Sequence, residues 1–261
     1  MPVLDSSRML GALLSSTPTE QAAIDDLVAA NHILADQQVV DAFGHVSVRH
    51  HTNPQRFLLS RDVPPALVTT NDIVEYDLDG NAYGAKPGFA HAVQRCIHAE
   101  IYRVRPDVGS VVYSVAPATL PFANTQMPLR PMSHLAAFLA PDVPIFEIRE
   151  AAGGMTNMLI ADAKLARPLA EALGRSSVVL MRGHGSLIVA SSISLAVFRA
   201  IHTLINAQVQ MQAMASGGSI TFLDPAEAEK ASKAIDQLHL RAWDLWKRDL
   251  RMSEGAFLAP A

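Results

Sequence analysis

A histidine flanked by glycines is the clearest chemical feature of this 261-residue sequence. In Arg182-Gly183-His184-Gly185, the histidine follows hydrophobic residues that predict a buried strand over 177–182. Glycine on both sides allows a tight turn, which would present the imidazole at the sheet edge as a metal ligand or a proton carrier. A plain turn between two strands gives the same pattern, so both interpretations of His184 stay open at this point.

A second group of polar residues occurs at helical spacing. His91, Gln94 and His98 stand at positions i, i+3 and i+7 of a helix predicted to start at Pro87, so they should share one face. Two imidazoles and an amide on one face could bind a metal or a substrate. A polar stripe that faces water produces the same spacing, and the sequence alone does not decide between the two.

Further candidates stand at the ends of predicted strands. His45 lies at the entry to one strand, and Ser60 and Arg61 lie at the exit of another. Arg61 could bind a substrate carboxylate through two parallel hydrogen bonds, or it could pair with the adjacent Asp62. His134 follows a loop that prolines restrict. Together these residues predict a cleft of histidine and arginine side chains that suits an anionic, small-molecule substrate.

The composition narrows the range of partners. Acidic residues number 25 and basic residues 21, with no dense basic patch, so nucleic acid is not an expected partner. The longest stretches without charged residues, 108–129 and 200–223, carry prolines or several amides, so no membrane-spanning segment is predicted. A single cysteine, Cys96, stands in an apolar-periodic segment, which predicts an inert thiol and a cytoplasmic protein. The sequence lacks the glycine-rich motifs that bind nucleotide phosphates and the Gly-x-Ser-x-Gly motif of serine hydrolases.

The candidate residues must be positioned by a sheet covered with helices. Short β-rich segments separated by turn residues predict an antiparallel meander, and hydrophobic segments further on predict central strands. The predicted strands are 46–49, 56–60, 72–76, 109–115, 144–148, 177–182 and 187–190, and the predicted helices are about 17–36, 87–105, 164–173, 192–216 and 225–250. The helix over 192–216 is apolar nearly all round, which indicates burial or a subunit interface. The sequence therefore predicts a single α/β domain with a mixed sheet.

The order of these motifs resembles that of the class II aldolase/adducin family. The matching segments, between about residues 20 and 215, are Gly44-His45-Val46-Ser47-Val48-Arg49, Asn71-Asp72-Ile73-Val74, Asp77-Leu78-Asp79-Gly80, Ile97-His98-Ala99-Glu100-Ile101-Tyr102, Arg105-Pro106-Asp107-Val108 and Leu180-Met181-Arg182-Gly183-His184-Gly185. The resemblance implies a single three-layer α/β/α domain over 1–261, with a mixed, mainly antiparallel sheet covered by helices. We expect 1–16 to form a flexible N-terminal arm and 217–261 a C-terminal helical extension.

Within that family, the segments 57–61 and 179–185 look most similar to the branch that decarboxylates hydroxylated aromatic or pyridine dicarboxylic acids. The sugar-phosphate aldolases of the family hold phosphate with a Thr-Gly pair and a Ser-Ser pair. Here the corresponding places read 60–62, Ser-Arg-Asp, and 92–93, Ala-Val. The resemblance therefore disfavours a phosphorylated substrate.

The sequence departs from the family at the metal ligands. The resemblance implies a divalent metal, zinc or manganese, held by a His-x-His, a later histidine and a nearby glutamate. In this chain the His-x-His place reads Tyr113-Ser114-Val115 and the glutamate place reads Gln94, which leaves His184. Tight zinc or manganese sites ordinarily use three or four protein ligands. A metal with His184 among its ligands and no metal at all both stay open.

Three functions then compete. The first, which we favour, is a lyase that breaks a carbon–carbon bond of a carboxylated, hydroxylated aromatic acid or a similar small acid, by decarboxylation or aldol-type cleavage. The second is a metal-independent oxygenase, in which His184 deprotonates a phenol and Tyr113 binds the resulting anion. The third is a non-catalytic binder or scaffold, by analogy with the adducin branch.

For the lyase, each candidate residue has an expected role. The expected catalytic residues are His184, His134 and Tyr113, and the expected substrate-binding residues are Arg61, Ser60, His45, Arg182, Gln94 and His98. The resemblance also implies a homotetramer with active sites at subunit boundaries. His134 stands near the place of a proton-donating tyrosine that reaches across such a boundary in the family's aldolases, so its role depends on that assembly.

Overall fold

The computed structural model describes residues 19–84 and 88–257. In that part, the chain forms an eight-stranded sheet with the order β4-β3-β2-β1-β5-β8-β7-β6. The strands are β1 (His45–Arg49), β2 (Arg56–Ser60), β3 (Ile73–Asp77), β4 (Ala82–Tyr83), β5 (Ser110–Ser114), β6 (Ile145–Phe146), β7 (Val178–Met181) and β8 (Gly185–Ala190). Every adjacent pair is antiparallel except β6 and β7. The predicted arm over 1–16 lies outside the described residues.

Helices cover both faces of this sheet. They are α1 (Glu20–Asp36), α2 (Arg95–Val104), α3 (Leu120–Ala123), α4 (Ile148–Ala152), α5 (Ala163–Leu173), α6 (Ile193–Ala215), α7 (Pro225–Ile235) and α8 (His239–Phe257). α1 begins directly after Thr19, whose side chain accepts a hydrogen bond from the Ala22 N–H and so caps the helix. None of the helices in the described residues is long and apolar enough to cross a membrane.

Two apolar cores lie on opposite faces of the sheet. One contains Leu34 of α1 and Phe198 of α6, and the other contains Ile97 of α2 and Leu169 of α5. Side chains along β5 alternate between the two cores, because successive residues of a strand point to opposite faces. The predicted three-layer α/β/α class with a mixed, mainly antiparallel sheet is confirmed.

Three predicted elements were wrong in detail. The strand over 144–148 is only two residues long and lies at the sheet edge, because Pro144 lacks an N–H and α4 begins at Ile148. The single helix over 225–250 is two helices, α7 and α8, separated where Asp236 pairs with Arg199.

The helix predicted to start at Pro87 instead begins at Arg95. The preceding residues run past the end of β2, where the Asp62 N–H donates to the Ala90 carbonyl at 2.9 Å. This pairing uses a backbone group that a helix would need internally. His91 therefore precedes α2 and does not share a helical face with Gln94 and His98, so that prediction was wrong.

Candidate active site

A cavity of about 260 Å³ opens at one end of the central strands. The antiparallel topology brings together four segments there: the start of β1, the ends of β2 and β5, and the turn before β8. Six predicted site residues line it: His45, Ser60, Arg61, Gln94, Tyr113 and His184. Its apolar walls include Phe43, Val115 and Leu159. Residues from five separate places in the sequence therefore share one cavity.

Tyr113 and His184 form a hydrogen-bonded pair in this cavity, between the phenolic oxygen and Nε2. Burial raises the pKa of Tyr113, so the phenol keeps its proton at neutral pH. Burial lowers the pKa of His184, and the nearby Met158 backbone opposes that shift. We therefore assign the Tyr113 hydroxyl as the donor and Nε2 of His184 as the acceptor.

The turn that carries His184 requires its glycines. Gly183 has a φ of 65°, and a side chain on Gly185 would collide with the Ser114 carbonyl. Met158, whose backbone faces His184, has a φ of 69°, which costs a non-glycine residue about 1–3 kcal/mol. The surrounding structure thus holds the imidazole from two sides.

Arg61 is anchored at one of its nitrogens and open at the others. Its Nε donates to Asp72 at 2.6 Å. Asp72 in turn accepts from the Thr69 backbone and hydroxyl at 2.8 and 2.6 Å. Burial would raise the pKa of Asp72, but the bonds from Thr69 and Arg61 outweigh it and hold the pKa below its usual value. The sequence interpretation considered a pair with Asp62, whereas the ion pair forms with Asp72.

His45 is linked to buried residues behind the cavity. Its Nδ1 lies 2.8 Å from Nε2 of His98, and its ring stacks on Tyr113 with centroids 4.8 Å apart. Its Nε2 is buried and lacks a hydrogen-bond partner among the described residues. Burial lowers the pKa of His45 to about 4. Gln94 lies near enough to oppose that shift in part, but its amide does not complete a bond to Nε2.

Three predicted site residues are not part of the cavity lining. His98 is fully buried behind His45, because α2 turns it toward the sheet. Arg182 forms an ion pair with Glu147, with Nε 2.5 Å from the carboxylate. The guanidinium that was expected to bind substrate is therefore paired with a residue distant in sequence. His134 is exposed in this protomer near His202, whose pKa falls to about 4 through burial and the charge of His134.

The donor set of this cavity does not fit a metal site of the family's kind. The described residues contain no group of three or more His, Cys, Asp or Glu placed to hold a metal ion. Nε2 of His184 already accepts from Tyr113, and Nδ1 of His45 is committed to His98. Of the other lining side chains, Gln94 and Tyr113 are neutral, which leaves Nε2 of His45 and the carboxylate of Asp62, too few ligands for a tight zinc or manganese site. We derive no step through a metal.

Sequence reasoning missed the residues that support this site. The sequence interpretation placed Asp72 and Ser47 in predicted strands and in family motifs, but it gave neither a role at the site. Glu147 gave no signal, because it stands 35 positions from Arg182 and pairs with it only in the fold. A buried polar residue such as Ser47, inside an apolar strand, is the one signal that would have pointed to an internal hydrogen-bond network.

Comparisons with known proteins show which sequences this chain resembles. The model of the family described as "Class II Aldolase and Adducin N-terminal domain" matches residues 25–211. The decarboxylase tropJ of Talaromyces stipitatus is 35% identical over 244 residues, which cover 85% of this chain and 92% of that protein. The 3,4-dihydroxyphthalate decarboxylase of Arthrobacter keyseri is 31% identical over 222 residues, covering 80% and 86%.

A solved structure shows the same fold. The L-fuculose 1-phosphate aldolase from Glaciozyma antarctica superimposes with a TM-score of 0.76 at 23% identity, covering 95% of this chain and 98% of that one. At this identity the likeness concerns the fold, since unrelated activities share folds.

Proposed function

The chain belongs to the class II aldolase and adducin family, and from that premise we propose that its cavity decarboxylates a hydroxylated aromatic acid. The predicted lyase class is confirmed, because relatives 31% and 35% identical over most of both chains are decarboxylases. One observation carries the substrate proposal. Arg61, hydrogen-bonded to Asp72 through Nε alone, lines the same apolar-walled cavity as the Tyr113 and His184 pair.

The first step is the binding of a carboxylate by Arg61. Asp72 holds Nε, and Nη1 and Nη2 have no hydrogen bond among the described residues. A planar guanidinium held at one corner is preorganised to donate two parallel bonds to a carboxylate. Arg61 thereby fixes a carboxylate of the ligand at the end of β2.

The walls of the cavity suit a flat, apolar body. Phe43 stands at the cavity with 71% of its surface exposed, and Val115 and Leu159 line the same space. Val115 takes the place of a family metal ligand, so apolar bulk fills space that a hydrated ion would need. An aromatic ring matches these walls better than a polyhydroxylated sugar does.

The Tyr113 and His184 pair supplies the proton chemistry. When His184 takes the proton of a ring hydroxyl at Nε2, it no longer accepts from Tyr113, whose O–H becomes free to bond the new oxyanion. The electron pair moves into the ring, and the carbon that bears the carboxylate takes the proton from His184. The bond to the carboxylate carbon then breaks, its electrons restore the aromatic ring, and carbon dioxide leaves. The phenolate finally takes one proton from solvent.

The test is carbon dioxide release by the purified protein. We expect release from 3,4-dihydroxyphthalate or 2-hydroxybenzoate and none from phthalate, because phthalate lacks the hydroxyl whose ionised oxygen supplies the electron pair to the ring. His184→Gln should abolish release, whereas His91→Gln should not. His91 is the matched control because it also bonds a tyrosine, Tyr76, but lies outside the cavity.

Two other outcomes would replace this proposal. Oxygen uptake without carbon dioxide release would favour the metal-independent oxygenase. Saturable binding of the same acids without any turnover would favour the non-catalytic binder or scaffold.

We also propose a cytoplasmic homotetramer with active sites at subunit boundaries. Exposed apolar side chains of α6 support it: Ile205 and Val209 are 43% and 41% exposed. An apolar groove of about 490 Å³ between α3 and α6 includes Met127 and Met211. Light scattering of the purified protein tests the tetramer.

The lone cysteine, Cys96, supports the cytoplasmic location. Burial raises the pKa of its thiol to about 11, and a single unpaired thiol suits a reducing compartment.

A further inference from the structure

A buried hydrogen-bond network runs from the interior of the domain to the cavity. It consists of Tyr102, Ser47, His98 and His45, and we call it the His45 network. The Tyr102 hydroxyl lies 2.8 Å from Oγ of Ser47, which lies 2.6 Å from Nδ1 of His98. Nε2 of His98 lies 2.8 Å from Nδ1 of His45. The network ends at Nε2 of His45, which lines the cavity and has no partner among the described residues.

The two imidazoles of this network are neutral at physiological pH. Burial lowers the pKa of His45 to about 4, and burial together with the neighbouring His45 lowers that of His98 well below its usual value. A neutral imidazole carries one N–H and one acceptor nitrogen. Among the described residues, Oγ of Ser47 has two partners, Tyr102 and His98, so its proton is donated to one of them and it accepts from the other. The protons of the network therefore all point in one direction or all in the other.

The inner end of the network decides the direction. Tyr102 is fully buried, and burial raises its pKa, so the hydroxyl stays protonated. Among the described residues, Oγ of Ser47 is the acceptor within reach of the Tyr102 O–H. Were Ser47 to donate to Tyr102 instead, the phenolic proton would be buried without an acceptor, which is the costly arrangement.

The rest of the network follows from that donor. Tyr102 donates to Ser47, the Ser47 hydroxyl donates to Nδ1 of His98, and Nε2–H of His98 donates to Nδ1 of His45. The remaining proton of His45 is then on Nε2, the buried nitrogen without a partner among the described residues, on a ring that belongs to the cavity lining. Stacking on Tyr113 keeps the ring in this orientation.

We infer that Tyr102, Ser47 and His98 are positioning residues that fix His45 as a hydrogen-bond donor, with Nε2–H aimed at an anionic oxygen of the substrate. The identification of the acceptor rests on the proposed function, while the fixed tautomer does not. A donor at this place binds a carboxylate or an ionised ring hydroxyl and leaves a ligand with an N–H at that point unpaired. His45 thereby selects for an oxygen anion beside the one that Arg61 holds.

Nitrogen-detected NMR of the whole, ligand-free protein labelled with ¹⁵N-histidine tests the tautomer directly. The His45 signals are assigned by their loss in His45→Gln. At pH 7 we expect Nε2 of His45 at the shift of a protonated ring nitrogen and Nδ1 at that of an unprotonated one. The reverse pattern, or averaged shifts in the native protein, would overturn the inference.

Ser47→Ala removes the link that transmits the direction. We expect the Nε2 and Nδ1 shifts of His45 to move toward each other, because either tautomer then forms. The matched control is Ser110→Ala, which removes an equally buried hydroxyl on the neighbouring strand that donates to the Ser47 carbonyl but not to the network. Ser110→Ala should leave the His45 shifts unchanged. Ser47→Thr, which keeps a hydroxyl, should show the His45 shifts of the native protein. If Ser47→Ala does not fold, Tyr102→Phe gives the second reading, since it removes the donor that sets the direction.

Binding of 2-hydroxybenzoate separates this inference from the proposed function. A change in the Nε2–H proton shift of His45 on titration, with the tautomer unchanged, supports the donor role even if no carbon dioxide is released. Binding with an unaltered Nε2–H signal would overturn the donor role even in an active decarboxylase.

Discussion

The hydroxyl of Tyr113 is hydrogen-bonded to Nε2 of His184 at the edge where β5 ends and β8 begins. Tyr113 takes one of the places where the resemblance implies a histidine ligand, and His184 is the histidine that the chain retains. The pair is thus formed by one substituted and one retained position of the family's site. Its chemistry is proton exchange between a phenol and an imidazole.

Removing the Tyr113 hydroxyl should slow the reaction more than it weakens binding. In Tyr113→Phe, the oxyanion formed on the ring loses a donor, so we expect kcat to fall about 10²-fold with KM changed by less than about threefold. Steady-state carbon dioxide release measures both constants. Tyr76→Phe, which breaks the corresponding tyrosine bond to His91, is the control and should leave kcat unaltered. An equal loss in both variants would mean that the tyrosine only supports the fold.

Shortening the arginine fork should act on binding. Arg61→Lys keeps the charge but cannot donate to Asp72 and to a carboxylate in one plane, so we expect KM to rise about tenfold or more. Arg182→Lys is the control, because Arg182 pairs with Glu147 and does not line the cavity. The interpretation fails if Arg182→Lys raises KM as much as Arg61→Lys does.

Stability should fall between pH 6.5 and 4. Burial lowers the pKa of His45 to about 4 and that of His98 well below its usual value, whereas both titrate near 6.5 in an unfolded chain. In that window the unfolded state binds more protons, so the free energy of unfolding decreases as pH falls, by about 1.4 kcal/mol per pH unit for each histidine. Urea unfolding at several pH values gives the slope.

His45→Gln should reduce this slope by about one proton, since it removes one of the imidazoles whose pKa burial lowers. Ser110→Ala, which changes an equally buried side chain that does not titrate, gives the comparison and should leave the slope near that of the native protein. A native slope that His45→Gln does not change would show that His45 is not held neutral in the folded state.

Chelation should leave the activity in place. The described residues bring together no group of three or more His, Cys, Asp or Glu that could hold a metal ion, and Nε2 of His184 is already paired with Tyr113, so we expect dialysis against EDTA to change kcat by less than about twofold. Elemental analysis before and after dialysis checks the metal content. Stoichiometric zinc or manganese that is lost in His184→Ala would contradict this expectation and restore a metal-dependent lyase.

The sequence could indicate the cavity but not the paired arrangement of its side chains. His184 was predictable, because glycine on both sides of a histidine after a strand requires a turn there. His98 was predicted to contact substrate, because the sequence places the start of the helix at Pro87, eight residues too early. The helix begins at Arg95, and α2 buries His98 in the core. Arg182 carries a charge that the sequence shows, but its partner Glu147 is brought to it only by the parallel pairing of β6 and β7. Spacing thus located residues on one edge, whereas burial and long-range pairing determined which could reach a ligand.

The predicted catalytic role of His134 depends on a neighbouring subunit, and mixed oligomers can test it. His134 is exposed in the protomer and does not line the cavity that holds His184. If it acts across a subunit boundary, His134→Ala and His184→Ala are each inactive, yet a hybrid of the two contains some sites with both histidines intact. Random mixing should recover about a quarter of the native activity per site, because each site needs one native residue from each of two subunits. The proteins are mixed after reversible dissociation, and each variant alone, taken through the same treatment, is the control. Recovery of no activity from the mixture, with hybrids shown to form by native mass spectrometry, would place His134 outside the catalytic machinery.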